Sequence, residues 1–217
     1  DLAVSLLREM TPSNGIPPDV VSYNSAIAAC ATSKQWQQAV SLLREMHESQ
    51  LSPDVVSYSS AIDACSGCRQ WSVALSLLRE MSESGVSPNV VTYSSCITGL
   101  GACKQWKLAL GLLDEMRSSN VPPNLITYNS CISACGQAKQ WRQALQLIDT
   151  MNEQGVRPDT ISWNAVITAL GSSKQWFAAL QTLREMPDRG VQRNVISYNS
   201  TISALGSRQW QKALALL

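Results

Sequence analysis

An all-α solenoid of stacked antiparallel helix hairpins is the fold class that this sequence of 217 residues predicts, and three observations predict it. First, the tryptophans of a recurring "QW" stand at Trp36, Trp71, Trp106, Trp141, Trp176 and Trp210, at intervals of 35 residues except the last, which is 34. Second, large side chains keep to fixed slots. Met10, Met46, Met81, Met116, Met151 and Met186 share one, and Tyr23, Tyr58, Tyr93, Tyr128 and Tyr198 share another that Trp163 fills in the remaining copy. Third, each half of a copy carries an apolar stripe at the period of a helix. Large residues confined to so few slots imply packing against equivalent neighbours, which is an array and not a domain with one centre.

The elements follow in order. In Val20–Cys30, Tyr23, Ile27 and Cys30 recur at helical spacing with Ala26 beside them, which predicts a first helix. A small polar turn follows, "ATSK" here and "GACK", "GQAK" or "GSSK" later, and its glycines (Gly101, Gly136, Gly171, Gly206) are expected to end the helix. Trp36, Ala39, Val40, Leu43 and Met46 then line one side of a second helix. The next connection, such as "HESQLSPD" or "NEQGVRPD", carries a proline that prevents further helix. Each copy is thus two antiparallel helices of about three turns. One hairpin cannot bury both stripes alone, so copies must stack around a continuous core.

The reading gives five full repeats, 20–54, 55–89, 90–124, 125–159 and 160–194. A partial repeat of second helix and connection stands at 1–19, and a truncated sixth at 195–217. The chain opens and closes within repeat text, which reads as a piece of something longer. The central tryptophans are expected to be core residues, whose truncation to alanine would cost about 3–5 kcal/mol.

Composition narrows the function. Formal net charge is +1, so no global field draws the chain to nucleic acid or to an anionic membrane. No apolar run approaches membrane-span length. Seven cysteines, an odd number without a secretory feature, argue for free thiols in a reducing compartment. Cys65 and Cys68 form a lone C-x-x-C without the second ligand pair that a structural zinc site needs. Cys30, Cys65 and Cys135 share one repeat slot, as small packing residues do. His47 is the only histidine, which leaves little for catalytic triads or general-base networks. There is no phosphate-cradling glycine loop. No metal, cofactor or enzymatic activity is expected of this segment.

A 35-residue hairpin that begins V-[VI]-[ST]-Y-[NS]-[ST] and closes ALxLLxEM…xPD resembles the pentatricopeptide repeat family over essentially the whole chain. The resemblance implies a right-handed superhelix that binds single-stranded RNA along the groove of its first helices, one base per repeat, a rule the family is known for. It implies that two side chains per repeat select the base, the fifth residue and the last. Here these are Asn24 with Asp54, Ser59 with Asn89, Ser94 with Asn124, Asn129 with Asp159, and Asn164 with Asn194, while Asn199 has no partner within the chain. The second residue sandwiches the base: Val21, Val56, Val91, Ile126, Ile161 and Ile196. By the family's rules Asn/Asp favours U, Ser/Asn favours A and Asn/Asn favours C with some tolerance for U. The implied core site is 5′-UAAUC-3′, with a pyrimidine over Asn199. The resemblance also implies a mitochondrial or plastid (chloroplast) setting and a role in organellar RNA processing, stabilisation or translation.

The same residues have plainer readings. Asp or Asn just before a helix is a good N-cap. The family's lysine slot after the first helix holds Thr32, Gly67, Ala102, Gln137, Ser172 and Ser207. Basic residues stand two places later instead, at Lys34, Arg69, Lys104, Lys139 and Lys174, with Arg208 beside that slot in the shortened copy. That row is either a track for phosphates or a set of solvated turn residues. Two other functions compete with RNA adaptor. One is a scaffold that holds a protein partner or joins a ribonucleoprotein assembly, and the other is a tether for a catalytic domain outside the segment.

Overall fold

The computed structural model describes residues 2–10 and 17–206. Among them all regular structure is helical, in twelve α-helices and a short 3-10 turn at Pro187–Arg189. None of these helices is long and apolar enough to cross a membrane. The chain divides into two compact units, Asp1–Cys103 and Lys104–Leu217.

The first unit holds α1 (Leu2–Glu9), α2 (Val20–Thr32), α3 (Trp36–Glu48), α4 (Val55–Gly67), α5 (Trp71–Glu83) and α6 (Val90–Ala102). Helices α2, α4 and α6 stack on one another, α3 packs on α2 and α4, and α5 on α4 and α6. The second unit holds α7 (Trp106–Ser118), α8 (Leu125–Gln137), α9 (Trp141–Glu153), α10 (Thr160–Ser172), α11 (Trp176–Glu185) and α12 (Val195–Leu205). Here α8, α10 and α12 stack, α9 packs on α8 and α10, and α11 on α10 and α12. Both units are therefore layers of hairpins, with first helices on first helices, as the periodicity predicts. Trp210 and Arg208 lie outside the described residues.

The first helices start where an Asp or Asn can cap them. Asp54 Oδ1 accepts the Val56 and Ser57 backbone N–H groups, both at 2.9 Å, while the Asp54 N–H donates to Ser57 Oγ at 3.1 Å. The same reciprocal box joins Asn89 with Thr92, Asn124 with Thr127, Asp159 with Ser162 and Asn194 with Ser197. The cap reading of these residues therefore holds in its own right. The second helices start on an uncapped glutamine followed by the tryptophan.

Both kinds of helix stop on a residue in the left-handed region. After α2, Lys34 has φ 57° and Gln35 N–H reaches back to the Cys30 carbonyl at 2.9 Å; after α3, Gln50 has φ 57° and Leu51 N–H reaches Met46 at 3.0 Å. This corrects the expected helix ends. Gly101, Gly136 and Gly171 lie inside α6, α8 and α10, three residues before the left-handed positions Lys104, Lys139 and Lys174. At Gly136 and Gly171 the role is close approach. A Cβ on Gly136 would stand 3.2 Å from Ala169 Cβ, and one on Gly171 would stand 2.8 Å from Ala204 Cβ. Gly206 alone of the four caps a helix end, at φ 58°.

The core consists of the methionine and tyrosine slots with Ala, Ile and Leu between them. Met46, Met81, Met116, Met151 and Met186 are fully buried, as are Tyr58 and Tyr128. The tryptophans depart from expectation. Trp36, Trp71, Trp106, Trp141 and Trp176 are only half-buried, because each is the first residue of its helix and sits at the border of the core. The cost of about 3–5 kcal/mol for truncating a buried aromatic belongs to the tyrosine slot instead.

Candidate nucleic-acid interface

A first helix carries two repeating rows beside its packing face, and in the polar one Ser59 and Asn164 are buried. One is aliphatic. Val21, Val56 and Val91 in the first unit, and Ile126, Ile161 and Ile196 in the second, are between 55% and 68% exposed. A single exposed valine is ordinary. Six in one register, on helices whose Tyr or Trp and Ile slots are mostly buried, are not explained by the chain's own packing.

The second row is polar, and its hydrogen-bond directions can be worked out. In the first unit, Asn24 Nδ2 donates to Asp54 Oδ1 at 3.1 Å, and Asn24 Oδ1 accepts from Ser57 Oγ at 2.6 Å. Every bond given to the Asp54 side chain ends on Oδ1. That leaves Oδ2 as an acceptor and the second Nδ2 hydrogen of Asn24 as a donor. The next pair is wired differently. Thr92 Oγ1 lies 3.0 Å from Asn89 Oδ1, to which it can donate, and 2.9 Å from Ser59 Oγ, a contact in which either hydroxyl can be the donor. With Thr92 donating to Asn89, Ser59 is the donor to Thr92 and its Oγ offers acceptor capacity, while Asn89 Nδ2 is a donor.

In the second unit, Asn129 repeats the arrangement of Asn24. Its Nδ2 donates to Asp159 Oδ1 at 3.4 Å and its Oδ1 accepts from Ser162 Oγ at 2.6 Å. Asn164 Nδ2 donates to Asn194 Oδ1 at 3.2 Å, but Ser197 Oγ turns to Asn194 Oδ1, so Asn164 Oδ1 is buried without a partner. An unpaired buried acceptor costs about 1–3 kcal/mol, and a ligand that donates to it recovers that cost. Asn199 is exposed on α12. Ser94 belongs to the first unit and is half-buried; Asn124 belongs to the second, where it caps α8 by accepting the Thr127 N–H at 3.0 Å.

The two carboxylates of the row are ionised by design of their surroundings. Partial burial pushes the Asp54 carboxyl up, but hydrogen bonds from Ser57, Asn24 and Val56 outweigh it and hold the group below its ordinary value. Burial and the bonds from Ser162, Asn129 and Ile161 leave Asp159 shifted in the same direction. Burial also pushes the Cys65 and Cys135 thiols up to about 11, which fits their place as packing residues.

Lys34, Arg69, Lys104, Lys139 and Lys174 occupy the left-handed turn position at the far end of the first helices, all exposed, with φ between 57° and 60°. Neighbouring turns within a unit are tied. Cys68 Sγ donates to the Lys34 carbonyl at 3.1 Å, and Ser173 Oγ donates to the Lys139 carbonyl at 3.1 Å.

One residue of the outward face escaped the sequence reading. In the first unit an open cleft of about 460 Å³ has Val56, Ser59, Ser60, Asp63, Asn89 and Val91 in its lining. Asp63 shares its register with Ala28, Thr98, Ser133, Thr168 and Ser203. A comparison of that slot across copies would have found it, since it is the one carboxylate among small residues.

The profile of the PPR repeat family matches residues 18–67, 53–102, 95–137, 123–162 and 158–207. A search among curated proteins finds no match. Among solved structures, the pentatricopeptide repeat protein PPR10 from maize superposes with a TM-score of 0.74 at 28% identity, over 98% of this chain and 30% of that one. PPR10 in complex with an 18-nt psaJ RNA element gives 0.70 at 25% identity, with the same coverage. The PPR domain of Arabidopsis thaliana protein-only RNase P 1 in complex with tRNA gives 0.69 at 18% identity, over 87% of this chain and 96% of that domain, a likeness of fold. The chain therefore spans about 30% of the length of PPR10. With five matched segments that cover most of its length, the chain belongs to the pentatricopeptide repeat family.

Proposed function

We propose that this chain binds single-stranded RNA by sequence, one base per repeat, around a core site 5′-UAAUC-3′, as an adaptor in organellar RNA processing, stabilisation or translation. The observation that carries the reading is the different hydrogen-bond wiring of neighbouring pairs: Asn24 bonds both Asp54 and Ser57, whereas Ser59 bonds Thr92 and leaves the Asn89 amide group open. Asn24 with Asp54 presents a donor and a carboxylate acceptor. Uracil answers with its O4 acceptor and N3–H donor. Ser59 with Asn89 presents an acceptor and an amide donor when the serine hydrogen goes to Thr92, and adenine then answers with N6–H and N1, whereas guanine would set acceptor against acceptor. Asn129 with Asp159 repeats the uracil pattern. Asn164 with Asn194 offers acceptor and donor again, and the longer asparagine suits the smaller ring of cytosine. The third base, A over Ser94 and Asn124, rests on the shared Ser/Asn pair type.

The exposed Val and Ile row supplies the apolar walls between which a base gains by burial and dispersion. The crystal structure of PPR10 with an RNA element supports RNA as the ligand class. The basic turn residues are the candidate phosphate contacts. A mitochondrial or plastid setting belongs to the same proposal, and catalysis, where it accompanies the RNA, would come from a domain outside this segment.

The net charge of +1 favours a second reading, a scaffold whose outward row holds a polypeptide. One experiment separates them. Binding is measured for an oligomer that contains UAAUC, for a permuted RNA and for the DNA equivalent across a salt series. Preference for the UAAUC strand is expected, and equal affinity for all three would refute sequence reading.

A further inference from the structure

We propose that Asp63 is a ribose-sensing residue, which takes the 2′-hydroxyl of the nucleotide held between Val56 and Val91 and so favours RNA over DNA at that step. The proposal rests on the RNA-binding reading above and adds a residue outside its base-selecting pairs.

The argument begins with the cleft. Val56 and Val91 are the apolar walls on either side of the Ser59–Asn89 pair, and all four line one open cavity of about 460 Å³ together with Ser60 and Asp63. That volume admits a whole nucleoside and not only a base. The edge of the base is already answered by Ser59 Oγ and Asn89 Nδ2, which leaves the remaining polar groups of the lining for the sugar.

Asp63 is placed for that part. It follows Ser59 by four residues on α4, so it lies on the same side of the helix and about 6 Å further along it. It is exposed and keeps its carboxylate in the cleft by accepting Ser95 Oγ on Oδ1 at 3.1 Å, with Oδ2 left open. No lysine or arginine lines the cavity, so its one formal charge is negative. A carboxylate without a cation repels phosphate and accepts only from donors. On the sugar side of a nucleotide the donor that RNA has and DNA lacks is the 2′-hydroxyl. In the equivalent slots Ala28, Thr98, Ser133, Thr168 and Ser203 offer no charge, so the discrimination is local to this repeat.

The test uses a UAAUC strand, the same strand with a single 2′-deoxy sugar at its second nucleotide, and a control with the deoxy sugar at the fourth. Each is titrated against the wild-type chain and Asp63→Ala, whose exposed position leaves the fold intact, as a thermal melt verifies. On the scale of a hydrogen bond to a charged group, the wild type loses roughly ten- to a hundredfold in affinity for the strand modified at the second nucleotide. Asp63→Ala binds it as well as the unmodified RNA, and the control strand behaves alike with both proteins. Equal loss in wild type and variant overturns the proposal. So does a uniform gain in affinity of Asp63→Ala for every strand, which marks a carboxylate that only repels phosphate. Failure of the wild type to separate UAAUC from a permuted RNA overturns the base-reading function beneath it, a different outcome from either.

Discussion

Helix α4 shows two faces that repeat for unequal reasons. Tyr58, Ile62 and Cys65 on the inward side are fully buried, whereas Val56 on the outward side is 55% exposed and Ser59, Ser60 and Asp63 line an open cleft. Both sets recur at the period of 35 residues, Asp63 excepted. The inward set is accounted for by close packing, since each copy meets neighbours of the same shape. Of the outward set, Ser59 is buried against Thr92, but the exposed Val56 gains little from burial within its unit. Recurrence with a packing reason describes a core, and recurrence without one describes a surface that answers to a ligand.

The largest effect that tests this contrast is on the inward face. Tyr58→Ala removes a fully buried ring, along with hydroxyl contacts to His47, Glu80 and Ser84, and is expected to lower unfolding free energy by about 3–5 kcal/mol. Val56→Ala, on the outward face two residues away, should change stability by about 0.5 kcal/mol or less and weaken RNA binding. Denaturant melts of both variants check it. Similar losses of stability would erase the distinction between the faces.

Next in size is a change of base. Ser59→Asn with Asn89→Asp copies the Asn24–Asp54 arrangement into the second repeat, and the carboxylate can still cap α6. Preference at the second nucleotide should move from A to U by about tenfold or more, the scale set by leaving a polar group unpaired. Competition binding with the four bases at that position measures it. Preference that stays with A would show that the pair does not select.

Much of this was legible in the sequence, and the misses have physical causes. The period, the hairpins and the caps follow from spacing and residue type, which act locally. Periodicity shows that copies share an environment but not how deep it is, so the tryptophans read as core although each begins a helix at the core's border. Gly136 reads as a helix end by its identity. Its reason is Ala169, 33 residues away in sequence and 3.2 Å from where a Cβ would stand. The acceptor role of Ser59 depends on where the Thr92 proton goes, a contact between helices that no pattern of letters contains.

A smaller effect separates the carboxylate pairs from the amide pairs. Asp54 and Asp159 are held below the ordinary value of 3.8 by their hydrogen bonds. A depressed folded-state pKa means that their stabilisation is present above the unfolded value and is lost as pH falls through the folded one. Stability should therefore fall below about pH 4 as these caps protonate. The variant carrying Asp54→Asn and Asp159→Asn keeps a capping oxygen at both sites, so its thermal midpoint should be flatter over that window. A midpoint that falls as steeply as in the wild type would assign the acid loss elsewhere.

The smallest effect concerns the two turns, and it divides stability from binding. After the second helices the left-handed position holds Gln50, Gly85, Asn120, Gly155 and Gly190, a mixture rich in the residue that suits it. After the first helices it holds Lys34, Arg69, Lys104, Lys139 and Lys174, residues that the left-handed region disfavours by about 1–2 kcal/mol. Glycine would relieve that strain, although its greater freedom in the unfolded chain offsets about 0.5–1 kcal/mol of the gain. Lys139→Gly is thus expected to leave the chain as stable as before or more so by about 1 kcal/mol or less. If the row follows a phosphate backbone, the same change should make the slope of log affinity against log salt shallower by about 0.7, the value for one phosphate contact on a single strand. A more stable protein that binds RNA less strongly and with less salt dependence would show that these cations stand in the turn for the ligand. An unchanged slope would reduce them to solvated turn residues.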